Sequence, residues 1–297
     1  MFAQVMRWLG SQGAGTAFRL APVLLIVVGL FGTGLVAAFV ESISTPDAGA
    51  LTGRYYLGVA RDGEFWVSLT LTLWVAMAST AIATAAGVAL ALLLSQLATR
   101  QGLAYALMQF PLAVPHLAMA FVVLLLIAPS GWIARFGAAV GWISQPADFP
   151  ALVYDRYGIG IILAYAAKEI PFLAIVTTAL LVRIGPEYAR VAATLGASRW
   201  QRLRYVTLPM LAPGIVSASL MVFAFVFAAF ETPFLLGRPY PAMLSVVAER
   251  RYLSLDLNDR PDAIAWALVM TGLAAVTVQA YLALSRRVEG RGRPVVF

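Results

Sequence analysis

Four ionisable side chains of this sequence lie inside long apolar stretches. They are Lys168 and Glu169, which are adjacent, together with Glu231 and His116. A charge near the middle of a bilayer costs at least ~2.5 kcal/mol unless it faces protein or a wet cavity. These residues are therefore candidates for solute contact, for gating or for an ion relay. The alternative for Lys168 and Glu169 is pairing with other helices, which would hold a helix bundle together.

Composition excludes several other chemistries. The sequence has no cysteine, which excludes a disulfide framework, a thiolate metal site and a cysteine nucleophile. Lys168 is the only lysine and has no Gly-x4-Gly-Lys-Ser/Thr loop around it, so this chain does not bind ATP by that route. His116 is the only histidine, which excludes the His-Glu-x-x-His pair of a zinc protease. The sequence therefore predicts no enzyme, no metal site and no cofactor in this chain.

The elements that must position these residues are membrane helices. Hydrophobic residues make up 61% of the 297 residues and charged residues 12%, whereas soluble domains have about 45–50% and about 25%. A bilayer-spanning helix needs about 20 apolar residues, and strands of a membrane barrel would alternate in polarity instead. The prediction is an all-α membrane protein with six transmembrane helices, at Leu20–Val40, Trp66–Leu94, Leu103–Ala128, Ile159–Leu181, Met210–Leu236 and Ala263–Leu284.

The chain organisation predicted from these runs is a six-span domain over residues 20–284. Residues 1–19 precede it as a cytoplasmic N-terminus, and residues 285–297 follow it as a basic cytoplasmic tail. Arg7 and Arg19 precede the first run, as in a secretory signal, but the run exceeds the ~7–15 residues of a signal core. This favours an uncleaved first span. A short interfacial helix is predicted within Gly131–Trp142.

The distribution of charge predicts the orientation. With the N-terminus inside, the inner segments hold 12 basic and 2 acidic residues, and the outer segments hold 8 basic and 10 acidic residues. Arginine and lysine accumulate on the cytoplasmic side of membrane proteins. Both termini are therefore predicted to be cytoplasmic, and the net charge of +7 is explained by the lipid bilayer without nucleic acid.

The connection between spans four and five predicts a helical elbow on the inner surface. Glu187 suits the positive end of a first helix, and Gly196 suits the left-handed geometry that ends one. Ser198 can cap a second short helix, and Pro209 suits the first turn of span five. The apolar residues of the first helix share one face: Tyr188, Val191, Ala192 and Leu195. The alternative interpretation is an interfacial helix with basic residues near lipid headgroups.

The spacing Ala192-x3-Gly196-x9-Val206-x-Leu208-Pro209 resembles the EAA loop of binding-protein-dependent ABC importer permeases. The loop also precedes the penultimate span, as in that family. The resemblance implies a MetI-like core over about residues 66–284 with a cytoplasmic coupling helix. This sequence departs from the family's pattern at Arg190, where the family usually has Glu. The residues implied to contact the ATPase are Glu187, Arg190, Ala192, Gly196, Ala197, Ser198, Trp200, Leu208 and Pro209.

The resemblance also implies partners. Two permease chains, identical or different, pair around a translocation path, and two cytoplasmic ATPase subunits that bind ATP and Mg²⁺ dock on the elbows. An external solute-binding protein delivers the solute, and the complex lies in the bacterial cytoplasmic (inner) membrane. ATP binding drives alternating access, a rigid-body change between two states. This mechanism assigns ATP hydrolysis to a separate subunit.

Substrate and site positions are predicted more narrowly. The stretches around Lys168 and Glu231 resemble the polyamine, ferric iron and thiamine branch, which favours a polyamine or similar small cation; sugar, phosphonate and oxyanion uptake stay open. Counting ~1.5 Å per residue places Lys168 and Glu169 about 14 Å below Ile159, and Glu231 about 33 Å beyond Pro209, at the outer interface. His116 is predicted as a hydrogen-bonded packing residue or a path residue.

Two other functional classes are compatible with six spans. An ion-coupled secondary transporter would use Lys168, Glu169 and Glu231 as a relay and would need no ATPase. A membrane-embedded scaffold or receptor would transport nothing. Co-purification of an ATPase separates an importer permease from both.

Overall fold

The structure is a computed structural model that describes residues 20–45, 50–95, 101–256 and 259–291. Within these ranges the chain is helical, and the single β contact is an isolated bridge between Ser44 and Leu51. The predicted all-α membrane fold is confirmed. Six helical segments of the described chain are long and apolar enough to cross a membrane, the third of them made of two consecutive helices: Leu20–Ser42, Gly63–Leu94, His116–Ala139, Ile159–Ile184, Arg199–Ala228 and Arg260–Ala283.

The chain divides into two compact units. The first contains residues up to Arg61 and residues 248–269. Its helices are α1 (Leu20–Ser42) and α2 (Arg54–Arg61). The hydroxyls of Ser42 and Tyr56 lie 2.7 Å apart and join these two helices. Large apolar side chains along α1 are exposed, as expected of a helix surrounded by lipid.

The second unit contains residues 62–247 and residues from Met270 onward. Two further helices, α11 (Leu244–Tyr252) and α12 (Arg260–Arg291), have residues in both units. The helices within the second unit are α3 (Gly63–Leu94), α4 (Gln101–Ala113), α5 (His116–Ile127), α6 (Trp132–Ala139), α7 (Ile159–Ile184), α8 (Glu187–Thr194), α9 (Arg199–Ala228) and α10 (Glu231–Leu236).

Helix α7 is the centre of the second unit. It packs against α3, α4, α5, α9 and α10, and most residues of its most apolar stretch are buried, whereas the large apolar side chains of α1 are exposed. Gly87 of α3 allows the closest approach, because a Cβ there would lie 2.8 Å from the Leu173 Cβ and 2.9 Å from the Ile170 carbonyl oxygen. Any side chain larger than hydrogen would push α3 away from α7.

Two predicted spans are wrong in their boundaries. The third was predicted over Leu103–Ala128, but the helix stops at Ala113 and restarts at His116. The ring of Pro115 disfavours helical geometry in the residue before it. Pro115 itself has an extended backbone (φ −56°, ψ 149°). The fifth was predicted to reach Leu236, but the helix ends at Ala228, because Ala229 is extended (φ −67°, ψ 141°).

Of two further predictions, one is confirmed and the other is changed by the structure. The short helix predicted within Gly131–Trp142 is confirmed as α6. The basic tail predicted from residue 285 is helical at first, since α12 continues to Arg291. The predicted cytoplasmic segment 1–19 and residues 292–297 lie outside the described residues.

Candidate functional site

The elbow between α7 and α9 begins with a helix whose end is fixed by backbone hydrogen bonds. Gly196 has φ +82°, the left-handed conformation predicted for it. The Ala197 N–H donates to the Ala192 carbonyl and the Gly196 N–H to the Ala193 carbonyl, both at 3.0 Å. This pair of bonds is the Schellman motif, which satisfies the last carbonyls of a helix. It gives Ala192, Gly196 and Ala197 a structural reason for their spacing.

The second half of the elbow is fixed by a reciprocal cap. The Ser198 hydroxyl accepts a bond from the Gln201 N–H at 3.3 Å, and the Gln201 side chain accepts from the Ser198 N–H at 2.8 Å. Each side chain thereby satisfies a backbone donor that the helix leaves free. The predicted N-cap at Ser198 is confirmed.

Pro209 lies in the first turn of the regular α-helix Leu208–Ala228, the place predicted for it at the start of span five. The helix that Ser198 caps continues through a wide π-type turn at Leu203–Thr207 into the membrane helix, so that α9 is continuous from Arg199 to Ala228. Pro209 therefore lies inside a helix. A proline removes one i→i−4 hydrogen bond and crowds the preceding turn, and a π-type turn widens the helix at that point.

The elbow exposes an apolar surface. We define the elbow surface by four side chains that are each more than half exposed: Tyr188, Val191, Leu195 and Trp200. The charged residues Glu187 and Arg190 on the same helix are also exposed, while Ala192, Ala197 and Leu208 are half-buried. Exposed apolar groups at this density indicate contact with another surface, either protein or lipid.

Lys168 is bound to the break in the third span. Its residue is only 4% exposed, and its Nζ donates a hydrogen bond to the carbonyl oxygen of Val114. Carbonyls at the end of a helix such as α4 have no intrahelical partner and form the negative end of its dipole. The ammonium of Lys168 therefore satisfies a group that the break would otherwise leave unpaired in an apolar interior.

Glu169 is bound to the other side of the same break. Its Oε1 lies 3.4 Å from Nε2 of His116, the first residue of α5. A carboxylate is favourable at the positive N-terminal end of a helix. The His116 ring also packs against Phe225 of α9, with ring centroids 4.5 Å apart. His116 thus makes a hydrogen bond and a ring contact, as a packing residue does, and its alternative role as a path residue stays a prediction. We call Lys168, Glu169, Val114 and His116 the span-three brace.

Glu231 lies on a helix of its own, and its predicted place at the outer interface stays a prediction. The count of 33 Å assumed continuous helix from Pro209, but α9 ends at Ala228, and Glu231 is the first residue of the separate helix α10. Helix α10 packs against α5 and α7. The next residue, Thr232, is buried, whereas Glu231 itself is exposed. The structure therefore brings His116, Lys168 and Glu169 together and places the exposed Glu231 on a separate helix, where its charge still acts on the buried Tyr165 hydroxyl.

Sequence reasoning missed two residues of this region. Val114 contributes only its backbone carbonyl, which no residue-type argument could single out. Phe225 joins the His116 ring to Tyr165, whose ring lies edge-on to it with centroids 6.2 Å apart. Pro115 was the one available signal, since the residue before a proline disfavours helix. In the part of the chain that the structure describes, no cluster of three His, Cys, Asp or Glu side chains could hold a metal ion.

The fold and the elbow together define a class: a multi-pass helical membrane protein with an interaction surface at one end of its bundle. The profile of the family described as "Binding-protein-dependent transport system inner membrane component" matches residues 83–290. The chain belongs to this family, which consists of membrane transport components rather than enzymes.

Proteins similar to this chain in sequence are named as transport permeases, and some of their names include a substrate. The chain is 32% identical over 173 residues to the inner membrane ABC transporter permease protein YnjC of Escherichia coli K12, covering 58% of this chain and 32% of YnjC. It is 27% identical over 200 residues to the trehalose transport system permease protein SugA of Mycobacterium tuberculosis, covering 66% and 62%. The chain thus spans less than two thirds of the length of these curated relatives.

A third relative and a solved structure match over greater lengths. The probable molybdenum ABC transporter permease protein HVO_B0370 of Haloferax volcanii is 29% identical over 272 residues, covering 91% of this chain and 90% of that protein. A chain from the crystal structure of a bacterial ABC transporter that imports the acidic polysaccharide alginate superposes with a TM-score of 0.76, at 20% identity, over 96% of this chain and 99% of that one. At this identity the superposition shows the fold alone.

Proposed function

We propose that the chain is a permease subunit of an ATP-driven importer and forms half of a solute path across the cytoplasmic membrane. The observation that carries the proposal is the elbow, a rigid, hydrogen-bonded helix pair that presents four exposed apolar side chains at the end of a membrane bundle. Membership of a binding-protein-dependent transport family supports the same function. The elbow is the docking surface for a cytoplasmic ATPase that binds ATP and Mg²⁺.

The remaining partners follow from this function. A second permease, identical or different, completes the path, one ATPase docks on each elbow, and an external solute-binding protein delivers the solute. The exposed residues Glu187 and Arg190 flank the elbow surface and give the ATPase a polar rim to contact. Arg190 changes the sign of the charge that the family usually has at its position.

The span-three brace has a structural role in this proposal, and Glu231 has the path role. Lys168 and Glu169 are buried and bonded to both sides of a helix break, an arrangement that holds the bundle in one geometry. Glu231 is exposed on a short helix that restarts after α9. Its carboxylate is therefore free to meet solute or the second permease.

The substrate class is a narrower proposal. A polyamine or similar small cation is favoured by the exposed carboxylate of Glu231, whereas the relatives described above are named for trehalose and molybdenum. Uptake assays with the cognate solute-binding protein in proteoliposomes would decide between them. Competition by spermidine, lost in Glu231→Gln and kept in Glu231→Asp, supports the cation; competition by trehalose or molybdate instead contradicts it.

Ion-coupled secondary transport is less well supported by the geometry. A relay needs side chains that can exchange protons or ions along a path, but Lys168 is 4% exposed and bonded to a backbone carbonyl. Glu169 contacts His116 rather than Glu231. Among the described residues, no hydrogen bond or ion pair joins Glu169 to Glu231, although both charges act on the buried Tyr165 hydroxyl.

Purification of the tagged chain tests the proposal. We expect an ATPase subunit to co-purify, and we expect its ATP hydrolysis to rise when solute-loaded binding protein is added to the reconstituted complex. Replacement of the exposed Trp200 and Leu195 by Ser should reduce co-purification, with Leu255→Ser, an exposed residue outside the elbow, as the control. Purification without an ATPase, together with uptake driven by an ion gradient alone, would contradict the proposal.

The proposed orientation has its own test. The sequence has no cysteine, so Arg199→Cys and Leu255→Cys each create a unique labelling site. Both residues are exposed. An impermeant thiol reagent added to intact cells should label Leu255→Cys and should label Arg199→Cys only after the membrane is opened. The reverse pattern would place the elbow outside and would remove the ATPase from the mechanism.

A further inference from the structure

A pocket of about 730 Å³ lies at the end of the bundle opposite the elbow. Its walls come from the first turns of α3, from the loop that leads into α7 and from the loop that follows α10. Helix α7 enters the bundle at Ile159 and leaves it at Ile184, next to the elbow. The pocket is therefore at the level of the membrane interface on the far side, and it opens to the surroundings.

The pocket carries positive charge and aromatic rings. Arg156 and Arg238 line it, and no Asp or Glu does. Among the residues that the structure describes, neither arginine forms an ion pair. The neighbouring carboxylate of Asp155 is occupied by the N–H groups of Tyr157 and Ile159, both at 2.7 Å. Two guanidinium groups thus face the pocket without an anionic partner.

Four aromatic rings surround the two guanidinium groups, and each is about half exposed: Trp66, Trp74, Tyr157 and Tyr240. Trp74 is held in place, because its Nε1 donates to the Tyr157 carbonyl at 3.0 Å. Trp and Tyr are the residues that lie at the headgroup level of membrane proteins, with an apolar ring and a polar tip. Their concentration here marks the site as one in contact with lipid.

We propose that this pocket binds one anionic phospholipid of the leaflet opposite the elbow. The planar guanidinium groups of Arg156 and Arg238 match the oxygens of a phosphodiester in a bidentate fork. The glycerol and the first acyl carbons lie against the aromatic rings. The acyl chains continue along α3, where Val67, Trp74 and Met77 expose apolar surface on the same helix. Two unpaired positive charges select a lipid with net negative charge over a zwitterionic one.

The experiment uses the complete transporter in vesicles of equal parts phosphatidylethanolamine and phosphatidylglycerol, with phosphatidylcholine vesicles for comparison. Native mass spectrometry counts the phosphatidylglycerol molecules retained per permease after extraction. We expect retention in the wild type and an at least tenfold lower occupancy, as an order of magnitude, in the double variant Arg156→Gln, Arg238→Gln. The Lys double variant should retain an intermediate amount, because it keeps the charge and loses the fork.

Arg135→Gln is the matched control. Arg135 lies on α6 and does not line this pocket, and its Nε already donates to the Ser130 carbonyl at 3.0 Å. Its replacement should leave retention unchanged, and co-purification of the partner subunits shows that each variant assembles. Equal retention in the wild type and the Gln double variant overturns the proposal, as does equal loss in Arg135→Gln.

Two further results would assign the pocket to another ligand. Full competition by soluble glycerol phosphate would show that phosphate alone is bound and not a lipid. Loss of stimulation by the solute-binding protein, with lipid retention unchanged in the Gln double variant, would assign the pocket to the solute or its carrier. Either result overturns lipid binding.

Discussion

The elbow and the span-three brace satisfy the free backbone groups at a helix end in different ways. In the elbow, the carbonyls that Gly196 closes off are bonded within six residues of the chain, and the apolar side chains remain exposed. In the brace, the Val114 carbonyl is bonded by a side chain 54 residues away, and the charges are buried. The elbow is therefore locally stable with an unoccupied surface, while the brace depends on α7 being packed in place.

This difference predicts separable defects. Changes in the elbow should alter what the chain binds and leave the bundle intact. Changes in the brace should weaken the bundle itself, because they leave a polar group unpaired in an apolar interior. The four predictions below test this separation, from the largest expected effect to the smallest.

The largest effect is expected for Lys168→Met. The substitution keeps the approximate length of the side chain but removes the donor to the Val114 carbonyl, and leaving a buried acceptor unpaired costs about 1–3 kcal/mol in soluble proteins. Yield and thermal stability of the complex should both fall. Thr178→Val is the control, because the Thr178 hydroxyl donates only to the Ala174 carbonyl of its own helix. Equal thermal stability in the two variants would remove the brace as a structural element.

Gly196→Val should have the next largest effect, confined to coupling. A β-branched residue at φ +82° is strained by roughly 1–3 kcal/mol, which should disrupt the Schellman bonds and lower stimulated ATP hydrolysis by about tenfold. Membrane insertion should be normal. Gly196→Asn, which tolerates the left-handed region, should retain most of the activity. Normal stimulation in Gly196→Val would contradict the role given to the elbow.

A double-mutant cycle on Glu169→Gln and His116→Asn should give a smaller energy. The two groups are 3.4 Å apart, and the His116 side chain is partly exposed, so we expect a coupling of about 0.5–1.5 kcal/mol in unfolding free energy. The complex should assemble in each variant but with lower thermal stability, because the contact is part of the brace. A coupling energy of zero would show that the contact contributes nothing to the brace.

The smallest effect concerns Asp148, in the loop between α6 and α7. The N–H groups of Ser144 and Gln145 donate to its carboxylate at 2.9 and 3.0 Å, and these bonds hold its pKa below the usual 3.8. A lowered pKa stabilises the loop above pH 3.8, and this contribution is lost as the pH falls through the lowered value.

Asp148→Asn imposes that loss at neutral pH. Amide hydrogen exchange at Ser144 and Gln145 should become faster, while the amides of Tyr157 and Ile159, which bond to Asp155, should be unchanged. Unchanged exchange at Ser144 would show that the loop does not depend on this carboxylate. Because the contacts of Asp148 are local and exposed and belong to neither the elbow nor the brace, assembly and transport should be unaffected.

The sequence was sufficient for features whose causes are local. Six apolar runs gave the spans, and the turn at Gly196 and the cap at Ser198 follow from residue types a few positions apart. The continuity of α9 through Pro209 was missed, since a proline at a helix start and one tolerated by a π-type turn look alike in sequence. The bond from Lys168 to Val114 could not be predicted from the sequence, because its acceptor is a backbone carbonyl that becomes available only where another helix breaks.

The continuity of α9 has a mechanical consequence. Its 30 residues make a rod of about 45 Å, with Trp200 at one end and the break before Glu231 at the other. Displacement of the elbow end by a few ångströms is therefore carried along the axis as far as Ala228, and the extended residue Ala229 separates that end from Glu231. The helix can bend at two places, the wide turn at Leu203–Thr207 and Pro213. A substitution that makes either place more rigid would change how far the end of α9 next to Glu231 moves.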